Sequence, residues 1–169
     1  MHTKSILIIL TLFFFGNVLE AKASGSFATE KMYIKEYYDN GNLKAEGWSF
    51  MDEKIDYWTF YHANGEVESK GHFRSNERDG YWYYYDASSE KSKEGHFAKG
   101  VAEDWWIFYD KANRIKNKYQ YKDNHKNGFA LLYKKNKLIK AEEYKNDEKT
   151  GEWTSLLAFK LDNPNVSLR

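Results

Sequence analysis

Apolar and polar residues recur along the chain with a fixed period of 24 residues. Five-residue aromatic or apolar segments begin at Tyr57, Tyr81, Trp105 and Phe129, always in the same register. A repeat of this length predicts stacked supersecondary units of one kind. Three further columns keep the register, two of them with one residue deleted before the last member: Gly47, Gly71, Gly95 and Tyr119; Phe73, Phe97, Tyr121 and Tyr144; Gly80, Asp104, Gly128 and Gly151.

Each unit predicts two β-strands joined by a tight turn. The first strand is the aromatic segment, and Asn40-Gly41 or Asn64-Gly65 supplies a typical hairpin turn. The second strand alternates polar and apolar residues, as over 67–73, and a polar loop such as 74–80 leads to the next copy. No stretch of ten or more residues shows a helical period. The pattern therefore predicts an all-β fold: an elongated single-layer antiparallel meander of stacked hairpins, forming an open twisted sheet of about ten strands.

Strand alternation assigns the aromatic side chains to two faces. Trp58 and Phe60 should share one face, and Tyr57 and Tyr61 the other. Rings in equivalent positions would then form rows across the repeats. We expect the repeat glycines to leave room for a neighbouring ring or to ease a bend. These predicted structural glycines are Gly47, Gly71, Gly80, Gly95, Gly128 and Gly151.

The first 23 residues are typical of a secretory signal. Lys4 precedes an apolar run over 6–15, and Ala21-Lys22-Ala23 follows, so we expect cleavage after Ala23. An uncleaved anchor is the alternative, but the run is far shorter than the ~20 residues that span a bilayer. We expect a secreted or periplasmic protein with a linker over 24–31, repeats over 32–157 and a C-terminal tail or cap over 158–169.

Charge and cysteine content exclude several classes of function and of metal site. The chain has no cysteine, which excludes disulfides and thiolate metal ligands. Without the signal it keeps 24 basic and 24 acidic residues, which argues against general nucleic-acid binding. The balance is uneven, because residues 31–109 carry 10 basic and 15 acidic side chains, whereas 110–149 carry 12 and 6. The uneven charge allows three interpretations: solvated polar faces, attraction between opposite ends of two copies, or an anionic partner bound to the basic half.

The aromatic columns predict a binding surface and no catalytic centre. His72 and His96 occupy one column but should lie roughly 10 Å apart, too far to share a metal ion. We therefore expect no metal, no cofactor and no enzymatic activity. A single-layer sheet cannot cover both of its aromatic faces, and large exposed aromatic surfaces usually bind partners. The candidate binding residues are Trp58, Tyr61, Tyr81, Trp82, Tyr83, Tyr85, Trp105, Trp106 and Tyr109.

The repeat resembles the bacterial variant of the MORN repeat. The resemblance rests on Trp58-x-Phe60-Tyr61, Asn64-Gly65-x-Val67 and Gly71-x-Phe73, followed by Gly80-x-Trp82. It covers roughly residues 33–153 and weakens near Ala130 and Lys137. It implies an elongated sheet of stacked hairpins and protein–protein or membrane-adjacent scaffolding, with no catalytic residues to carry over. Some relatives are antitoxins, a cytosolic role that the predicted signal argues against.

Two alternatives to a protein scaffold of the cell envelope remain. Residues 80–85 also resemble choline-binding cell-wall repeats, which implies a glycan or choline-type ligand held by Tyr81, Tyr83, Tyr85 and Trp105 through cation–π contacts. The longer period and the Asn-Gly turns favour the MORN type. The basic half could instead bind anionic lipid.

Overall fold

One antiparallel sheet makes up nearly all of the described structure. The computed structural model describes residues 30–166, in which eleven strands pair in chain order and a short helix follows. The predicted all-β open meander is confirmed, with eleven strands where about ten were expected. The elements are β1 (Met32–Tyr37), β2 (Leu43–Phe50), β3 (Glu53–Tyr61), β4 (Val67–Arg74), β5 (Glu77–Tyr85), β6 (Lys91–Ala98), β7 (Val101–Asp110), β8 (Ile115–Lys122), β9 (His125–Lys134), β10 (Lys137–Lys145), β11 (Glu148–Trp153) and α1 (Leu156–Asp162).

The predicted polar loop over 74–80 is wrong, because most of it is strand. Arg74 ends β4, Ser75 and Asn76 form a two-residue turn, and β5 begins at Glu77. Both turn residues have positive φ, 47° and 65°, the conformation that matches the twist of a tight hairpin. Asn76 also bonds back to the preceding repeat, where its backbone N–H donates to the Lys54 carbonyl. The polar segments are therefore paired strands, and the turn between β4 and β5 hydrogen-bonds to the start of β3 in the preceding repeat.

In the Asn-Gly turns on the opposite edge, only one of the two residues has a positive φ. Gly41 and Gly65 take positive φ, 84° and 90°, and the Asn residues before them do not. The Asn40 side chain instead accepts a hydrogen bond from the Asn42 backbone N–H at 3.0 Å. Because the Tyr38 backbone N–H donates to the Asn42 carbonyl, the loop proper is three residues long, 39–41, and ends in the left-handed Gly41.

A left-handed residue also recurs inside the odd-numbered strands. Asp56, Gly80, Asp104 and Gly128 have φ of 53°, 80°, 60° and 110°, and the strand register shifts beside each of them. Extra residues of this kind form β-bulges, which bend a strand and increase its twist. The glycine and aspartate column of the sequence therefore marks the bulge of each repeat.

Trp58, Trp82 and Trp106 line up along one face of the sheet, as predicted. We call this the ladder face. Its continuous series of ring contacts runs, with centroid distances of 6.0 to 6.5 Å, through Trp58, Phe60, Trp82, Tyr84, Trp106 and Phe108. Rings from the even strands fill the gaps, since Phe73 contacts the first two tryptophans and Phe97 the last two.

A second small core lies on the opposite face, at the C-terminal end. Helix α1 inserts Phe159, whose ring lies 5.2 Å from both Phe129 and Trp153 and is fully buried. The Ser155 side chain caps the helix by accepting from the Ala158 backbone N–H. The helix begins two residues before the predicted tail over 158–169. The predicted signal and positions 24–29 of the predicted linker lie outside the described residues.

Candidate interaction surface

Three predicted binding residues are structural. Trp58, Trp82 and Trp106 are 1%, 0% and 5% exposed, so they are not available to a partner and must be removed from the predicted binding surface. Single-layer geometry suggested exposure, but rings from neighbouring strands cover each indole. Their glycine partners explain the close fit: a Cβ on Gly47, Gly71 or Gly95 would lie 2.2–2.5 Å from an indole carbon.

A size exchange maintains this packing where the repeat diverges. Trp58 pairs with Gly47 across β2 and β3, and the equivalent pair in β8 and β9 is Tyr119 with Ala130. The large residue has moved to the even strand and the small one to the odd strand. Ala130 is fully buried, and Tyr119 contacts Phe108 at 5.8 Å. The losses of the glycine at 119 and of the tryptophan at 130 thus compensate for each other. Their connection becomes visible only when the strand register is known.

The other predicted glycines have separate roles. Gly80 and Gly128 carry the positive φ of the bulges. A Cβ on Gly128 would also lie 2.3 Å from the Gln120 side-chain oxygen. Gly151 has no positive φ, but a Cβ there would come within 2.8 Å of the Trp153 ring.

The face opposite the ladder carries tyrosines. We call it the tyrosine face and define it by Tyr57, Tyr61, Tyr81, Tyr83, Tyr85 and Tyr109. Tyr57 and Tyr81 are 40% and 39% exposed, in contrast to the tryptophan that follows each of them. Tyr81 and Tyr83 pack together at 5.1 Å, and Tyr57 packs edge-on against His72 at 4.9 Å. Apart from Tyr57 and His72, all of these residues belong to the predicted site.

Charged residues between the tyrosines were missed from the sequence. Glu46, Lys70, Glu94 and Lys118 lie 24 residues apart and alternate in sign. Tyr61 donates its hydroxyl hydrogen bond to Glu46 at 2.7 Å, and Tyr109 donates to Glu94. Lys70 lies 5.5 Å from the Tyr85 ring. The 24-residue spacing could have revealed this column, but their contacts with the tyrosines depend on the strand pairing.

The hydrogen-bonded tyrosines stay neutral across the physiological range. Burial, and then the bond to Glu46, raise the pKa of Tyr61 to about 12. Burial and the bond to Glu94 raise the pKa of Tyr109 well above its ordinary value. The Tyr61 bond in turn lowers the pKa of Glu46. These groups can therefore orient phenol rings for stacking and hydrogen bonding.

Trp105 does not complete an aromatic cage with Tyr81, Tyr83 and Tyr85. It packs against the Leu131 and Phe159 cluster and, in the described part of the chain, makes no ring contact with those tyrosines. The rings of Tyr83 and Tyr85 also already have a lysine of this chain over them. Lys91 lies 5.0 Å from the Tyr83 ring, and Lys70 occupies the Tyr85 ring as above. A quaternary ammonium would have to displace these lysines.

Residues 30–166 contain neither a metal-binding cluster nor a helix that could span a membrane. Within that range, no three His, Asp or Glu side chains are grouped in a way that could hold a metal ion. The only helix described, α1, is seven residues long, and none in the range is long and apolar enough to cross a bilayer.

The chain was compared with known proteins. No protein-family model and no curated protein matches it.

Proposed function

We propose that this chain is a non-catalytic scaffold of MORN type that binds another protein of the cell envelope through the tyrosine face. The observation that carries this proposal is the difference between the two faces. The largest rings are buried in the ladder, whereas Tyr57 and Tyr81 remain two-fifths exposed on the other face. Helix α1 covers the C-terminal end of this face, around Leu131 and Phe159, whereas Tyr57 and Tyr81 stay partly exposed and are available to a partner.

The chemistry of the tyrosine face suits a protein partner. Tyrosine is enriched in protein interfaces because its ring gives a large rigid contact and its hydroxyl a hydrogen bond. Here several rings are held in place by neighbours, as Tyr61 is by Glu46 and Tyr109 by Glu94. Such preorganisation lowers the entropy lost on binding. A choline-type ligand fits less well, because Lys70 and Lys91 already occupy the ring faces. Export to the envelope rests on the predicted signal.

The test compares two double variants in the mature chain. The first, Tyr57→Ser with Tyr81→Ser, removes the most exposed rings of the tyrosine face. The control, Leu157→Ser with Leu161→Ser, removes apolar side chains of α1 that are 69% and 72% exposed. Proteins retained from the native cell envelope are identified first, and the affinity of the retained protein is then measured by titration calorimetry.

We expect the tyrosine variant to bind the retained protein about tenfold or more weakly, as when interface anchors are truncated. The leucine variant should bind like the native chain. Equal affinity of the tyrosine variant and the native chain would refute the proposal.

A further inference from the structure

A concavity lies where Tyr109, at the end of the tyrosine face, meets the turns at one edge of the sheet. It is an open groove of about 680 Å³ along the sheet edge that carries the β5–β6, β7–β8 and β9–β10 turns. We call it the edge groove. The lining residues that matter here are Lys91, Tyr109, Lys111, Arg114, Lys116 and Lys135.

The one-residue deletion in the repeat falls at this groove. The β9–β10 turn has only two residues, Lys135 and Asn136, with φ of 51° and 63°. The β7–β8 turn before it has four residues, 111–114. The two turns are joined where the Lys135 backbone N–H donates to the Arg114 carbonyl at 2.8 Å. The short β9–β10 turn is therefore fixed beside the longer β7–β8 turn. The difference in their lengths leaves a concavity at this edge, which residues of both turns line.

The groove has an excess of positive charge that is not neutralised from within. Five basic side chains line it, against two acidic ones. Both acids are engaged, since Glu90 pairs with Lys111, and Asp110 accepts from the backbone and side chain of Asn113. Of the basic residues, Arg114, Lys116 and Lys135 form no salt bridge with any residue in 30–166. Lys116 lies 5.2 Å from the Tyr133 ring, so it lacks only an acidic partner, whereas Arg114 and Lys135 have no side-chain partner in that range.

We propose that the edge groove binds an acidic peptide segment of a protein partner. The inference deepens the proposed scaffold function and rests on it for the kind of partner. A concave groove between turns accommodates a chain better than a flat lipid surface. Tyr109 and Ile115 offer apolar contact for side chains between the carboxylates, while the three unpaired cations attract the carboxylates.

The test uses purified components and two triple variants, which are compared with the native chain. The groove variant combines Arg114→Asn, Lys116→Gln and Lys135→Asn, with asparagine chosen because Arg114 and Lys135 have positive φ, which asparagine tolerates. The matched control, Lys122→Gln, Lys145→Gln and Lys160→Gln, removes the same charge from exposed positions outside the groove. Binding is measured to an oligoglutamate peptide, to phosphatidylglycerol vesicles and to polygalacturonate. Because no envelope partner is present, failure here leaves the result for Tyr57 and Tyr81 unaffected.

We expect the peptide to bind the native chain with an affinity that falls as salt is added. It should bind the groove variant about tenfold more weakly and the control variant with the native affinity. Equal losses in both variants would show a general charge effect and overturn the proposal. Absence of peptide binding to the native chain would also overturn it, as would groove-dependent binding of vesicles or polygalacturonate in place of the peptide.

Discussion

Gly95 shows how a single residue type determines the packing of a repeat. A Cβ at this position would lie 2.2 Å from the Trp106 indole, a distance that real Cβ atoms do not reach. We expect Gly95→Val to lower the free energy of unfolding by about 1–3 kcal/mol, because the indole or the strand must shift. Ala98→Val, at an exposed position of the same strand, is the control and should change it by less than about 0.5 kcal/mol. Urea melts of both variants check this, and an unaltered Gly95→Val midpoint would contradict it.

The exchange of Gly and Trp for Tyr119 and Ala130 can be reproduced one repeat earlier. Trp106→Ala alone should leave a cavity costing about 3–5 kcal/mol. Adding Gly95→Tyr should refill part of that space, as Tyr119 does opposite Ala130. The double variant should therefore melt at a higher temperature than Trp106→Ala. A double variant less stable than Trp106→Ala would show that the exchange at Tyr119 is not compensatory.

Tyr61 predicts a loss of stability at alkaline pH. Its pKa is raised to about 12 from the ordinary value of 10.0, so the folded state favours the protonated hydroxyl. That contribution is fully present below pH 10 and is lost as the pH rises towards 12. Tyr61→Phe should flatten the decline in stability between these values, whereas Tyr37→Phe, at a 58% exposed position, should not. Thermal melts at stepped pH values measure the effect, and identical profiles for the native chain and Tyr61→Phe would exclude it.

At the scale of the element, α1 has one buried side chain, and Asp162 adds a hydrogen bond by accepting from the Trp153 indole N–H at 2.7 Å. Phe159 is fully buried, whereas Leu157 on the same helix is 69% exposed. We expect Phe159→Ala to cost about 3–5 kcal/mol locally and Leu157→Ala less than about 0.5 kcal/mol. Hydrogen exchange locates the effect: β9 to β11 should exchange faster in Phe159→Ala, and β3 to β5 should not, because repeats contact mainly their neighbours. Faster exchange throughout the sheet would contradict this view.

The sequence pattern predicts some elements and cannot predict others for physical reasons. The aromatic strands and Asn-Gly turns are readable because their signals are local. Residues 77–79, Glu-Arg-Asp, carry no apolar alternation, so their strand conformation comes from pairing with β4. Helix α1 has only seven residues, too few for a periodic signal, and depends on Phe159 packing. The burial of Trp58 likewise depends on rings from other strands, which spacing alone does not reveal.

At the scale of the whole molecule, the two faces of one sheet carry different aromatic residues: buried tryptophans on the ladder face and partly exposed tyrosines on the other. The ladder face packs the repeats together and α1 packs on the C-terminal end of the tyrosine face, so the rest of the tyrosine face and the edge groove are the surfaces proposed to bind partners. The candidate site was therefore half predictable. Five of the six tyrosines were identified from the repeat and Tyr57 was missed. The burial of Trp58, Trp82 and Trp106 and the position of the groove required the strand register and the turns.

Residue-resolved hydroxyl-radical footprinting of the mature protein tests this division most directly. Adjacent residues on opposite faces serve as internal controls, since Tyr57 and Tyr81 are 40% and 39% exposed and Trp58 and Trp82 are 1% and 0%. We predict rapid oxidation of the two tyrosines and protection of the two tryptophans, although indole is at least as reactive as phenol. Oxidation of Trp58 and Trp82 as fast as that of the tyrosines beside them would contradict the account.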